Sequence, residues 1–328
     1  MKYTPFKYIG AGLTALCVSI TAVKATPLPD QISVIVPFAP GGAVDVLTRL
    51  LTRQLATETG TNFIVENKPG AGGAIAAAQV ARAKPDGRTI LMGTTNTHGI
   101  NTHLNPQLKY DPVKDFTPIA DVAENIVILA ANANFPAQNL TETIELLRKE
   151  PGKYSFGSPG IGSVHQMAME QFKDKLALDV VHVAYKGAGP AMADTAAGNV
   201  QLVMAGIAPA MPFLQDKRIK ILGIANPKSD MFSGVKEVAN IQYFSDIQPE
   251  TAAQSWIALF APAGTDTSIV NQLHGAVQKI LTSDSFKKEL IPMGMVPNIS
   301  SRDEFSTKVQ ENMAFWKKTI QQPATTNQ

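Results

Sequence analysis

The sequence predicts an α/β protein made of two doubly wound domains, and three observations carry that prediction. Short apolar runs alternate with segments of helical period along the chain. Four glycine-rich turns each join such a run to such a segment, two in each half: Pro37-Phe38-Ala39-Pro40-Gly41-Gly42, Pro69-Gly70-Ala71-Gly72-Gly73, Gly157-Ser158-Pro159-Gly160-Ile161-Gly162-Ser163 and Lys186-Gly187-Ala188-Gly189-Pro190. The chain has 328 residues, and the roughly 300 that remain after a leader exceed what one hydrophobic core holds.

Ile32-Ser33-Val34-Ile35-Val36 is nearly all apolar, as a strand covered on both faces is. After Gly42, Val44, Leu47, Leu51 and Leu55 recur at three and four, the spacing of one apolar helix face. Phe63-Ile64-Val65-Glu66 reads as a second strand, followed by the second glycine turn and an alanine-rich helix over 74–83. Thr89-Ile90-Leu91-Met92 reads as a third strand, ending at Gly93-Thr94-Thr95. This order argues for a parallel sheet.

The stretch 125–132 reads as another strand, and Asn139 with Glu142 forms a capping box for a helix over 141–149. Tyr154-Ser155-Phe156 leads into the third glycine turn and Val180-Val181-His182-Val183 into the fourth. Gln201-Leu202-Val203-Met204, Ile219-Lys220-Ile221-Leu222 and Ser255-Trp256-Ile257-Ala258-Leu259-Phe260 continue the strands. Helices follow over 268–281 and after Ser301, where Ser301 and Glu304 form a second capping box. No Pro/Gly/Ser linker separates the two series. The chain is therefore expected to cross between domains within strands, near 125–132 and 255–262. That assigns 26–125 and 260–328 to one domain and 126–259 to the other.

Residues 1–25 have the form of a secretory signal: Lys2 and Lys7, an apolar stretch from Ile9 to Val23, then a small residue at Ala25. The stretch is short and rich in Thr, Ser and Gly for a membrane span. Leu16 argues against lipidation at Cys17, so Cys17, the one cysteine, is expected to leave with the signal. Export then leaves a chain without disulfides, thiol catalysis or cysteine metal sites. The formal charge of +2 includes three lysines of that segment; without them it is −1. Neither value, nor any basic run, points to nucleic acid or a membrane surface.

Each glycine turn aims backbone N–H groups and the positive end of a helix at one spot, the arrangement that holds an anion. A charge-assisted bond to such a group contributes about 1.5–3 kcal/mol, so three or four reach micromolar affinity, about −8 kcal/mol, without an arginine. A single turn of this kind more often only tightens the chain; four together favour a site. Asp45 in the first helical turn either complements the helix dipole or orients a ligand donor. No P-loop, dinucleotide fingerprint or Gly-x-Ser-x-Gly elbow is present. Ser163 and His165 are two apart and would point to different sides of a helix. His98 and His103 lie in a loop-like segment, His182 within a strand, and no zinc-type pair occurs. Neither catalytic residue, metal nor cofactor is called for.

The motifs resemble those of the tripartite tricarboxylate transporter substrate-receptor family, the Bug-type periplasmic solute-binding proteins. The resemblance is carried by Val36-Pro37-Phe38-Ala39-Pro40-Gly41-Gly42-x-x-Asp45, Asn67-Lys68-Pro69-Gly70-Ala71-Gly72-Gly73, Thr94-Thr95-Asn96-Thr97-His98 and Tyr110-Asp111-Pro112-x-x-Asp115-Phe116 in the first part. It continues in Gly157-Ser158-x-Gly160-x-Gly162-Ser163-x-His165, His182-Val183-x-Tyr185-Lys186-Gly187 and Ser255-Trp256-x-x-Leu259-x-Ala261-Pro262-Ala263-Gly264. These segments span essentially the whole chain after the signal.

The resemblance implies a type II periplasmic-binding-protein fold that closes over a small organic carboxylate. It implies a clamp from Phe38, Ala39, Gly41, Gly42 and Asp45 with Ala71, Gly72 and Gly73. Thr94, Thr95 and His98 are expected at the same domain's edge. Ser158, Gly162, Ser163 and His165 are expected to face them, with Lys186 and Gly187 nearby. The chain departs from the family at Ile161, at Ala184 and at Ala205-Gly206-Ile207, the last implying a pocket more apolar at its far end. The implied activity is binding without catalysis, by a monomer in the periplasm that delivers its ligand to a membrane transporter; the alternative is a sensory protein that engages a sensor kinase.

Overall fold

The structure, a computed structural model, describes residues 26–321. The expected signal segment and the polar tail after Gln321 lie outside the described residues. From Ile32 onward β1 (Gln31–Val36) is buried apart from Ser33, which is half-buried, because helices cover both faces of its sheet. It lies between β2 (Asn62–Asn67) and β3 (Thr89–Thr94), parallel to both. Beyond β3 follow β10 (Trp256–Pro262), β4 (Phe116–Asn125) and β11 (Met295–Pro297), giving the order β11-β4-β10-β3-β1-β2. A second sheet runs β7 (Val181–Ala184), β6 (Ser155–Ser158), β8 (Leu202–Gly206), β5 (Val127–Asn132) and β9 (Ile219–Ile224).

Both sheets are mixed rather than parallel throughout. β10 is antiparallel to β3 and β4, and β5 is antiparallel to β8 and β9. These two antiparallel strands are the first formed after each passage from one sheet to the other. The stretch expected as one strand is two: β4 ends at Asn125 in the first sheet, and β5 starts at Val127 in the second.

The first sheet carries α1 (Ala43–Thr59), α9 (Thr267–Thr282) and α10 (Asp284–Leu290) over one core, with Leu47, Leu51, Val270, Leu273 and Phe286 inside it. The core on its other face gathers α2 (Ala74–Ala81), Trp256 and Phe260. The second sheet is covered by α4 (Leu140–Lys149), α5 (Val164–Leu176) and α6 (Ala188–Ala197). The Ser301/Glu304 capping box forms, whereas at α4 Asn139 caps the helix but the returning carboxylate bond goes to the residue before it. Glu142 N–H donates to Asn139 Oδ1 at 2.9 Å while the Glu142 carboxylate returns to Gln138 N–H; Ser301 N–H donates to Glu304 at 2.8 Å.

The last helix, α11 (Arg302–Gln321), belongs to both halves. Phe305 and Val309 are buried in the first sheet's core and Trp316 in the second's. Burying a side chain of this size contributes about 1.5–3 kcal/mol, so the helix fastens the halves together. Among the described residues no helix is long and apolar enough to cross a membrane.

Candidate functional site

β1, β2 and β3 point the same way, as do β6, β7 and β8. The four glycine turns therefore emerge from carboxyl ends of strands, where open α/β sheets bind ligands.

The first turn is wired from behind. Asp45 is buried, and one carboxylate oxygen accepts from Gly41 N–H at 2.9 Å and Arg49 Nε at 3.1 Å. The other accepts from Asn67 Nδ2 at 2.9 Å and the Arg49 guanidinium at 3.0 Å. Burial works to raise the Asp45 pKa, but these donors and the Arg49 charge outweigh it and hold it below the usual carboxylate value. Asn67 also donates to Phe38 O at 3.0 Å. Gly41 N–H and Asp45 are thus committed to each other, and Gly42 N–H donates to Ala39 O at 3.4 Å, while residues Ala39, Gly41 and Gly42 are exposed. The opening N–H groups of α1 have no partner within the helix.

The second turn is held in an uncommon conformation. Gly70, Ala71, Gly72 and Gly73 all have positive φ, from 48° at Ala71 to 131° at Gly70. For Ala71 this left-handed geometry costs about 1–2 kcal/mol. Asn101 Nδ2 ties the turn by donating to Gly72 O at 2.9 Å. A Cβ on Gly73 would lie 2.7 Å from Thr97 Cγ2 and 3.0 Å from Pro37 Cβ, so only glycine lets the two clamp turns approach.

The segment expected to be a loop around His98 is a π-helical turn, Asn96–Ile100, continued by α3 (Asn101–Leu104). Thr97 Oγ1 accepts from Thr94 N–H at 2.8 Å and donates to Thr94 O at 2.9 Å. His98 does not reach the domain edge. It is fully buried, stacked on Phe260 at 3.8 Å between centroids and edge-on to Phe116. Burial pushes its imidazole down to about 3, so the ring is neutral and packs as an aromatic. Thr95 is buried too, donating to Gln254 O and accepting from Trp256 N–H, both at 3.1 Å. Thr94 is buried, its hydroxyl without a partner among the described residues.

In the second sheet the third and fourth turns touch. Gly187 N–H donates to Pro159 O at 2.9 Å and Tyr185 N–H to Ser158 O at 3.0 Å. Ser158 is buried, 2.7 Å from His182 Nε2. Ser163 caps α5, accepting from Gln166 N–H at 3.2 Å while its hydroxyl donates to Gly160 O at 2.7 Å. The Gln166 side chain accepts from Gly162 N–H at 2.7 Å. His165, in the first turn of α5, has both ring nitrogens buried and, among the described residues, without a partner, and burial lowers its pKa to about 4. Lys186 is exposed and, among the described residues, forms no ion pair.

Ala205, Gly206 and Ile207, expected at the far end of a pocket, lie where the two sheets meet. All three are buried; Ile207 packs on Gly294, and Ile207 N–H donates to Ile126 O at 2.9 Å. They fill the junction between the sheets. Arg49, Asn67, Asn96, Asn101, Gln166 and His182 escaped the sequence reading as site residues. Only Asn67, Asn96 and His182 stood in motif segments that could have flagged them.

A two-domain solute receptor is the class that this topology and paired-turn cleft define. The chain belongs to the tripartite tricarboxylate transporter family of receptors, whose model matches residues 47–324. It is similar to Protein BugT of Bordetella pertussis, at 28% identity over 297 residues, 90% of each chain. Two solved structures from Rhodopseudomonas palustris share the architecture. Rpa4515 with adipate has a TM-score of 0.79 and 30% identity, covering 88% of this chain and 95% of that one. MatC with bound malate has a TM-score of 0.76 and 32% identity, covering 89% and 99%.

Proposed function

We propose that this chain is an exported receptor that captures a small carboxylate-bearing metabolite between its two halves and delivers it to a tripartite tricarboxylate-type membrane transporter. The observation that carries the reading is the pair of helix N-termini, α1 and α2, whose glycine turns expose Gly41, Gly42, Ala71 and Gly72, the one cation fixed at the first turn, Arg49, being committed to Asp45 and Asn67. Such a surface holds a carboxylate through N–H groups. Phe38, Ala39, Gly42, Ala71, Gly72 and Gly73 form the clamp in this reading, and Asp45 keeps the first turn in shape. Ser163, His165 and Lys186 face the rest of the ligand. The relatives seen with malate and adipate favour a dicarboxylate, with exposed Lys186 available to a second carboxylate. Binding ends in release of the unchanged ligand.

The test is isothermal calorimetry and thermal shift across mono-, di- and tricarboxylates and amino acids, malate and adipate included. A ligand at a hundredfold its dissociation constant stabilises by about 2.7 kcal/mol. Absence of any stabilisation across the series rejects the reading.

A further inference from the structure

One short segment touches both the clamp and the opposing turn. By chain, the π-helical turn Asn96–Ile100 and α3 follow β3 of the first sheet. Yet Ile100 is fully buried in the core of the second sheet, in one cluster with Val164 and Trp316. At the start of the segment the Asn96 side chain donates to Gly162 O at 2.8 Å and lies 3.4 Å from Val164 N–H. It thus grips the third glycine turn and the first residue of α5 at once. Five residues on, Asn101 donates to Gly72 O at 2.9 Å. Between them the Thr97 methyl lies where any Cβ on Gly73 would have to go, and Gly99 lets the segment lie against Asn312 and Trp316 of α11. The wide π turn is an irregularity that helices keep chiefly where function requires it.

We propose that Asn96 and Asn101 are positioning residues that couple the two sides of the cleft, so that the shape of the second clamp turn and the placement of the third glycine turn change together. Neither needs to touch the ligand. Asn101 sets where the Gly72 backbone stands, Asn96 sets where Gly162 stands, and the rigid segment between them fixes one relative to the other. Coupling of this kind is reciprocal. The proposal presumes a ligand in this cleft, but its test is separable from that presumption.

The measurement is amide hydrogen exchange of the ligand-free protein, followed by mass spectrometry in wild type, Asn96→Ala and Asn101→Ala. Loss of one hydrogen bond corresponds to about a tenfold change in local opening. Asn101→Ala is expected to speed exchange about tenfold in 158–166, although its own bonds go to Ala71 and Gly72. Asn96→Ala is expected to speed exchange in 70–75, with 267–282 unchanged in both variants. If each variant loosens only the turn it touches, the coupling is refuted. Should Asn96→Ala lack a cooperative melt, Asn96→Ser is read in the same way. In a second arm, saturating malate or adipate slows exchange in both turns of the wild type. If no carboxylate does so, the receptor reading fails, while the ligand-free exchange still decides the coupling.

Discussion

The carboxylate of Asp45 is saturated by the protein itself. Its four donors come from Gly41, Arg49 and Asn67, so it fixes the shape of the first turn and, in the proposed function, leaves ligand contact to the backbone. The neighbouring glycines divide by the same kind of argument. Gly42 has φ −75°, and a Cβ there meets only Ala39 O at 3.5 Å. Gly42→Val is therefore expected to fold, with stability within about 1 kcal/mol of wild type, and to lose carboxylate binding because a side chain occupies the approach. Gly73 has φ 93° and no room for a Cβ; Gly73→Val should lose about 2 kcal/mol or more through strain and overpacking. Urea melts and calorimetry on both variants separate the cases. Equal stability loss in the two, or intact binding in Gly42→Val, contradicts the assignment. Glycine positions were legible in the sequence because the residue type announces its backbone. The purpose of Asp45 was not, since it depends on Asn67, which lies 22 residues away.

At the scale of elements, what could be read followed from how local the signal was. β1, α1 and both caps obey patterns contained within a few residues. β4 escaped because Pro118, Asp121 and Glu124 interrupt its apolar run, and the burial of Asp121 and Glu124 makes sense only with Lys308 of α11 in place. Lys308 Nζ lies 2.9 Å from Asp121 and 3.1 Å from Glu124. Asn226 shows the same limit. In sequence it looks like a turn residue; in the fold it is fully buried between the two passages of the chain. Its Oδ1 accepts from Val127 N–H at 2.7 Å, and its Nδ2 donates to Asn125 O at 3.0 Å and Glu124 Oε1 at 3.3 Å. Glu124 Oε1 in turn accepts from Ser255 N–H at 2.6 Å on the second passage. Asn226→Ala leaves a buried N–H and a buried carbonyl without partners, for an expected loss of about 2–3 kcal/mol. Guanidinium unfolding measures it, and a loss under about 0.5 kcal/mol means that this knot does not hold the passages together.

For the molecule as a whole, three buried groups set how stability follows pH, and their signs differ. His98 and His165 are held neutral by burial, with pKa values lowered to about 3 and about 4. An unfolded chain takes up a proton on each near pH 6.5. The stability these two contribute is therefore present above 6.5 and lost as the pH falls below it. Asp121 opposes them. Burial raises its pKa to about 7 despite Lys308, with Glu124 adding to the rise, so its contribution is present below 3.8 and is lost as the pH rises toward 7. Between pH 5 and 6 the unfolded chain gains about two protons at His98 and His165 that the folded chain refuses. The folded chain holds about one, at Asp121, that the unfolded chain releases. The net difference is one proton, and stability should rise with pH by about 1.4 kcal/mol per unit. Phe at position 98 keeps the aromatic stack without titrating, so His98→Phe should bring the slope close to zero over the same interval. Urea unfolding of both proteins at pH 5.0, 5.5 and 6.0 checks this. A wild-type stability that is flat or falls with pH there contradicts the balance, and an unchanged slope in His98→Phe removes His98 from it.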